Sequence, residues 1–262
     1  MGTRLESLPT PKEYPELLDA ILLLQRANRS SSLGVGIPGL IAKDGRVEIA
    51  TNVPCLSGMN VGSDISKIIE KPVFQANHLV CFAVSELHGG SASKTGCTVC
   101  LVFGTGIGAT LIFDGQIFTG ANRMAGEIGS SPLIGLEPTR SIEDVLSGAS
   151  IPLDVRTGVN VSEHEVWMDR CSRFFQNICY FYDPASIVLL GGIASSHGFL
   201  GRIHSSLQSD MLRAPSATSI SYSRFGESSG VRGVALLTSS SETVAKLISQ
   251  GIVFRFGPQV AR

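Results

Sequence analysis

The sequence is short of charge, of aromatic residues and of long apolar runs. Only 16 % of its 262 residues are charged and 6 % aromatic, with a single Trp. A net charge of −1 supplies no basic field of the kind that grips nucleic-acid phosphates, so nucleic acid is not expected as a partner. No apolar run reaches the roughly 20 residues a membrane-spanning helix needs, because Gly, Ser or a charge interrupts each candidate. A membrane partner is therefore not expected either. No cationic, apolar leader opens the chain, and the six cysteines, at 55, 81, 97, 100, 171 and 179, form no regular framework. These absences point to a reducing, cytoplasmic setting. What is abundant is apolar residues, 43 % of the chain, enough over this length for two lobes that each bury a core. The expected partners are small molecules and a second copy of the chain, a homodimer.

Apolar residues at helical spacing predict a first helix over roughly 13–28, followed by the short strand Leu33–Gly39 with its Pro-Gly break, and a strand over Arg46–Ala50. A helix over Val61–Glu70, a strand over Lys71–Ala76 and a helix through Glu86 complete an α/β lobe. The loop-like stretch Gly89–Gly96 divides the chain into a first lobe, 1–88, and a second, 89–262, whose last helix could pack back on the first. Cys97–Phe103 is a fully apolar strand. Asp114-Gly115, between two apolar runs, signals a hairpin with a type I′ turn. Helices follow at Ser141–Leu146 and Val166–Tyr182, then a buried strand at Ser186–Leu190 that stops at Gly191-Gly192. Val244–Ile248 reads as helical and Gly251–Arg262 as loose chain.

Gly104-Thr105-Gly106-Ile107-Gly108 follows one apolar strand and precedes another, so its glycines could adopt positive φ and turn N–H groups inward toward an anion. No Lys-Ser/Thr follows, which excludes a Walker loop, and a hairpin rather than a helix follows, which excludes a Rossmann fingerprint. By itself such a cluster is more often just a tight turn, and Gly191-Gly192 is as ambiguous on its own. Together they lie beyond strand C-terminal ends, where an open α/β sheet places ligands. Glu127 sits in the Gly-flanked turn Ala125–Gly129 and is suited to accept hydrogen bonds from sugar hydroxyls. Glu143, at the start of a helix after Ser141, is open to the plainer reading of a first-turn acid favoured by the helix dipole.

The order of these motifs resembles the ROK family (repressors, open reading frames and sugar kinases) of the actin-like, ribonuclease-H-like ATPase superfamily, from about Leu33 to Leu237. Gly34–Gly39 is similar to its sugar-side turn, with Thr51-Asn52-Val-Pro following. Val73–His78 with Cys81–Glu86 is similar to the strand and helix around its catalytic site. Phe103–Gly108 resembles its second phosphate loop, Asp114-Gly115 through Met124–Gly129 its most specific stretch, and Asp183–Gly192 its adenosine-side strand and turn. The resemblance implies an α/β fold of two ribonuclease-H-like lobes around a sugar/nucleotide cleft. It also implies sugar contacts at Gly39, Asn52, Asn77, Glu127 and Glu143, and nucleotide contacts at Gly104, Thr105, Gly106, Gly108, Gly191 and Gly192. The implied cofactors are ATP and Mg2+, in transfer of phosphate to a hexose.

Three departures from the family pattern stand out. His78 occupies the position of the catalytic Asp that acts as base toward the sugar hydroxyl, so a large loss of rate is expected. Ser130 replaces the His of the family's zinc site and 132–140 holds no cysteine, so zinc is not expected; Cys97-x-x-Cys100 lies on a strand and has no second pair. Met1-Gly-Thr3 is at best the tail of the Asp-x-Gly-Gly-Thr phosphate motif, which leaves the first lobe incomplete and implies a start further upstream or a decayed gene. The expectation is an impaired hexose kinase, with a sugar- or nucleotide-binding pseudokinase as the alternative. A ROK repressor would need a helix-turn-helix for which this chain leaves no room.

Overall fold

In the computed structural model, which describes residues 8–28, 30–133, 140–194, 198–209, 211, 218–239 and 241–258, the chain begins with helix α1 (Tyr14–Asn28). Strands β1 (Leu33–Ile37), β2 (Leu40–Ile41) and β3 (Val47–Ile49) follow, then α2 (Val61–Ile69), β4 (Val73–Asn77) and α3 (His78–Leu87). The middle of the chain carries β5 (Cys97–Phe103), β6 (Ile107–Phe113), β7 (Gln116–Phe118), α4 (Ile142–Leu146), α5 (Leu153–Arg156), α6 (Val161–Tyr182), β8 (Ser186–Leu190), α7 (Phe199–Ser209) and β9 (Ser219–Tyr222). Helices α8 (Ser229–Leu237) and α9 (Glu242–Ser249) and strand β10 (Phe254–Phe256) close it. The expected tail of the Asp-x-Gly-Gly-Thr motif and part of the segment read for a zinc site, 134–139, lie outside the described residues.

Two compact units result: Met1–Ser85 with Ser228–Arg262, and Glu86–Glu227. The division expected from the sequence lies at residue 88, with the last helix free to pack back on the first lobe; here everything from residue 228 onward belongs to the first unit. Residues from 228 onward fall in the first unit because α8 lies against β1 and β4, and because β10 pairs with β4. The segment read as loose therefore contains a strand.

In the first unit β4 is the middle of the sheet β1-β4-β10, parallel to β1 and antiparallel to β10. Val73, Phe74 and Ala76 are buried there, and the one polar residue among them, Gln75, has a hydrogen bond at each side-chain polar atom. Its Nε2 donates to Gly45 O at 2.7 Å and its Oε1 accepts from the Gly62 N–H at 2.7 Å, as a buried amide requires. Helix α8 packs on α3 through Gly233, where a Cβ would lie 1.7 Å from the Cys81 carbonyl, and on β1 through Val234, whose side chain a Cβ on Gly34 would approach to 2.5 Å.

The second unit has the strand order β7-β6-β5-β8-β9, with β6 antiparallel to β5 and to β7, and β8 parallel to β5 and to β9. This is a ribonuclease-H-like sheet. β5 is its centre because Val99, Cys100, Leu101 and Phe103 are all buried, as expected of a strand covered on both faces. Phe103 meets Phe174, Phe175 and Phe199 at ring-centroid distances of 5.9, 6.1 and 5.6 Å, joining α6 and α7 to the sheet. Asp114 and Gly115 take φ of 46° and 73°, the positive pair a type I′ hairpin needs. Helix α6 starts at Val161, five residues before the apolar periodicity becomes clear, because Asn160 accepts from the Glu163 N–H and caps it.

Candidate functional site

The parallel strands β5 and β8 end side by side, at Phe103 and Leu190, so the two glycine turns emerge together from one edge of the sheet. Gly191, with φ of 120°, passes so close to β5 that a Cβ would lie 2.4 Å from Phe103 O. A Cβ on Gly104 would meet Gly191 Cα at 3.5 Å, whereas one on Gly192 would face open space. None of Gly104, Gly106 and Gly108 adopts positive φ, contrary to expectation, and Gly108 lies buried in β6 opposite Val102 rather than in the turn. Space is what their lack of a side chain provides here. A Cβ on Gly106 would lie 2.8 Å from Glu143 Oε2.

Two carbonyls of the first turn are held from one side. The Gly148 N–H donates to Gly104 O at 2.7 Å and the Ala149 N–H to Thr105 O at 3.2 Å. In a trans peptide the N–H points opposite to the C=O, so this clamp aims the N–H groups of Thr105 and Gly106 the other way, as an anion-binding turn requires. Gly148 and Ala149 could not be found from the sequence, since Ser147-Gly148-Ala149 after a helix reads only as its stop.

Glu143 fastens the end of the turn, where β6 begins. Its Oε2 accepts the Ile107 N–H at 2.7 Å, across 36 positions of sequence. The helix-start duty that Glu143 might have performed falls to its neighbour: Ser141 and Asp144 form a capping box, and these hydrogen bonds hold the Asp144 carboxyl below the usual range. Glu127 is partly buried, and its pKa is raised, first by burial and then by the nearby negative charge of Glu143. Its segment lies directly on β6, where a Cβ on Gly126 would be 2.1 Å from Ala109 O and one on Gly129 2.1 Å from Ile107 O. The glycines flanking Glu127 are thus the condition for bringing its carboxylate next to that of Glu143 and the turn.

The first unit gathers a smaller group at the ends of β1 and β4. Asn77 donates from Nδ2 to Gly39 O at 2.8 Å and accepts the Leu79 N–H on Oδ1 at 2.7 Å, so it joins the turn after β1 to the start of α3. Gly39 has φ of 137°, and a Cβ would be 2.2 Å from Ile49 O. Nδ1 of His78 lies 3.2 Å from Ile37 O. A carbonyl can only accept, so Nδ1 carries the proton and Nε2 presents its lone pair. Desolvation by the surrounding protein atoms lowers the His78 pKa, and the hydrogen bond to the Ile37 carbonyl opposes this. Asn52 is exposed in a turn.

Residues that could hold a nucleotide are therefore Gly104–Gly106 and Gly191-Gly192. Among the described residues no group of three His, Cys, Asp or Glu side chains is placed to hold a metal ion. None of the described helices is long and apolar enough to cross a membrane.

Comparison with known proteins accords with this arrangement. A profile described as the ROK family matches residues 4–151 and 160–241. The N-acetylgalactosamine kinase AgaK of Shewanella sp. (strain ANA-3) is 27 % identical over 248 aligned residues, which cover 81 % of this chain and 80 % of that protein. The N-acetyl-D-glucosamine kinase of Yersinia pseudotuberculosis serotype IB (strain PB1/+) is 28 % identical over 271 aligned positions, covering 88 % and 89 %. A crystal structure of a ROK family glucokinase from Streptomyces griseus, in complex with glucose and AMPPNP, shares the fold with a TM-score of 0.74 at 16 % identity, covering 88 % of this chain and 89 % of that one. The chain is a homologue of sugar kinases, and it belongs to the ROK family.

Proposed function

We propose that this protein transfers phosphate from ATP to a hydroxyl of a hexose or N-acetylhexosamine, and that it does so slowly. The carrying observation is the clamp on the turn Gly104–Gly106: carbonyls bound by Gly148 and Ala149, and the Ile107 N–H bound by Glu143. It pairs an anion-binding turn with a carboxylate in one unit, beside a second carboxylate, Glu127. In this reading the turn and Gly191-Gly192 hold the nucleotide, while Glu127 and Glu143 accept hydrogen bonds from sugar hydroxyls. Mg2+ accompanies ATP and neutralises its phosphates; such an ion takes most of its ligands from phosphate and water and needs few protein carboxylates.

His78 sets the speed. A neutral imidazole with a free Nε2 can accept the hydroxyl proton, but it lacks the negative charge with which an Asp orients that hydroxyl. General-base contributions are about 10²- to 10⁴-fold, and part of that range is what the substitution forfeits. The same residue favours a second reading, binding without transfer. Incubation with Mg-ATP and a panel of hexoses and N-acetylhexosamines, following ADP release alongside melting temperature, separates the two. Slow ADP release dependent on one sugar supports transfer, and stabilisation by ligands without ADP supports binding alone. Neither response to any sugar or nucleotide would defeat both readings.

A further inference from the structure

The short helix α4 is tied to the turn Gly104–Ile107 from both of its ends. Near its start, Glu143 Oε2 accepts the Ile107 N–H at 2.7 Å. Just beyond its C-cap Ser147, the Gly148 and Ala149 N–H groups hold Gly104 O and Thr105 O. The helix itself is well anchored: Val145 and Leu146 are buried, and Trp167 Nε1 of α6 donates to Leu146 O at 3.3 Å. Its start is also joined to the segment that follows Glu127, since the Ile142 N–H donates to Ser131 O at 2.9 Å and Pro132 bridges Ser141. Both carboxylate-bearing segments and the turn therefore belong to one hydrogen-bonded body within the second unit.

Within that body Glu143 keeps one oxygen in reserve. Oε2 serves Ile107, whereas Oε1 has no hydrogen-bond partner among the described residues. A Cβ on Gly106 would lie 2.8 Å from Oε2 and 3.6 Å from Oε1, so the whole carboxylate sits close against the turn.

On the reading that this turn binds a nucleotide and that Glu127 and Glu143 meet a sugar, we infer that Glu143 is also a positioning residue for the turn, through which a sugar hydroxyl on Oε1 strengthens nucleotide binding. Two physical effects act in the same direction. A hydroxyl donating to Oε1 fixes the carboxylate in the rotamer that serves Ile107, so part of the ordering cost is already met when the nucleotide arrives. The same hydrogen bond offsets a negative charge that lies beside the turn and repels a phosphate there. By linkage, nucleotide strengthens sugar binding by the same factor.

Calorimetric titration of the full chain with ADP in Mg2+ tests this on the parent, Glu143→Gln and Glu143→Ala. The parent is titrated without sugar and with saturating N-acetyl-D-glucosamine, N-acetyl-D-galactosamine or glucose, each of which is also titrated alone. At least one of these sugars should lower the parent's ADP Kd about fivefold or more. Both variants lack the charge, but the Gln amide oxygen can still accept from Ile107 and Ala cannot. The sugar-free ADP Kd of Glu143→Ala should therefore lie about fivefold or more above that of Glu143→Gln. The parent measurement needs no variant, so it decides the matter if Glu143→Ala does not fold. Equal ADP affinity in the two variants, or a parent that binds sugar with no change in its ADP Kd, overturns the inference and leaves the kinase reading standing. A parent that binds no ADP, or none of the three sugars, overturns the inference together with that reading.

Discussion

Glu143 Oε2 accepts the backbone N–H of Ile107 at 2.7 Å, so the carboxylate expected to meet a sugar also fastens the end of the turn expected to meet phosphate. The same charge raises the pKa of Glu127, second in strength to burial. Removing it in Glu143→Gln should return the Glu127 pKa part of the way toward its ordinary 4.5, because burial remains. Carbon-detected NMR titration of the Glu127 carboxyl checks this, and an unchanged midpoint would contradict it.

That raised pKa has a consequence for stability. Between the unfolded value near 4.5 and the higher native value, the native chain holds more protons than the unfolded one. The contribution of Glu127 to stability is therefore fully present below about 4.5 and is lost as pH rises through the native pKa. Melting curves of parent and Glu127→Gln across that window should diverge with rising pH, the variant becoming relatively more stable.

Four glycines near the site divide into two classes. Gly126→Ala and Gly129→Ala would each place a methyl 2.1 Å from a β6 carbonyl, and Gly126 additionally has φ of 99°. Backbone must move, so a loss of about 3 kcal/mol or failure to fold is expected in urea unfolding. Gly191→Ala belongs with them, at 2.4 Å from Phe103 O and φ of 120°. Gly192→Ala meets nothing within 4 Å and should change stability by less than about 0.5 kcal/mol while weakening ADP binding.

Glu86 is fully buried, and its carboxylate accepts from Ser91 N–H and Ser223 Oγ at 2.8 Å and from Arg224 N–H at 3.2 Å. It fixes two separate loops of the second unit at once. Glu86→Ala leaves these donors without their acceptor and should cost about 3 kcal/mol, with Glu86→Gln costing less. Chemical denaturation checks both, and an Ala variant within about 0.5 kcal/mol of the parent would contradict the role.

Much of the second unit was legible from the sequence. Cys97–Phe103 and Ser186–Leu190 are continuous apolar runs, and Asp114-Gly115 is a turn signal with a steric cause, so these elements appear where expected. What escaped was long-range. Phe254-Arg255-Phe256 is too short to show a period and becomes a strand only through β4, so it read as loose chain. Positive φ is absent at Gly104, Gly106 and Gly108: Gly104 and Gly106 instead give clearance to Gly191 and Glu143, and Gly108 is paired within β6, none of which a local pattern reveals. Glu143 itself was a candidate, but its bond to Ile107 and the clamp by Gly148 and Ala149 follow no spacing rule.

The most direct measurement is the rate of ADP formation, with saturating Mg-ATP and the preferred sugar, for the parent and for His78→Asp. Placing a carboxylate at the start of α3 should raise kcat at least about tenfold over a parent that runs well below the ~1–100 per second usual for kinases. A parent already turning over in that range, or a His78→Asp variant that folds and binds both ligands yet gains nothing, would contradict the assignment of His78 as the residue that slows this protein.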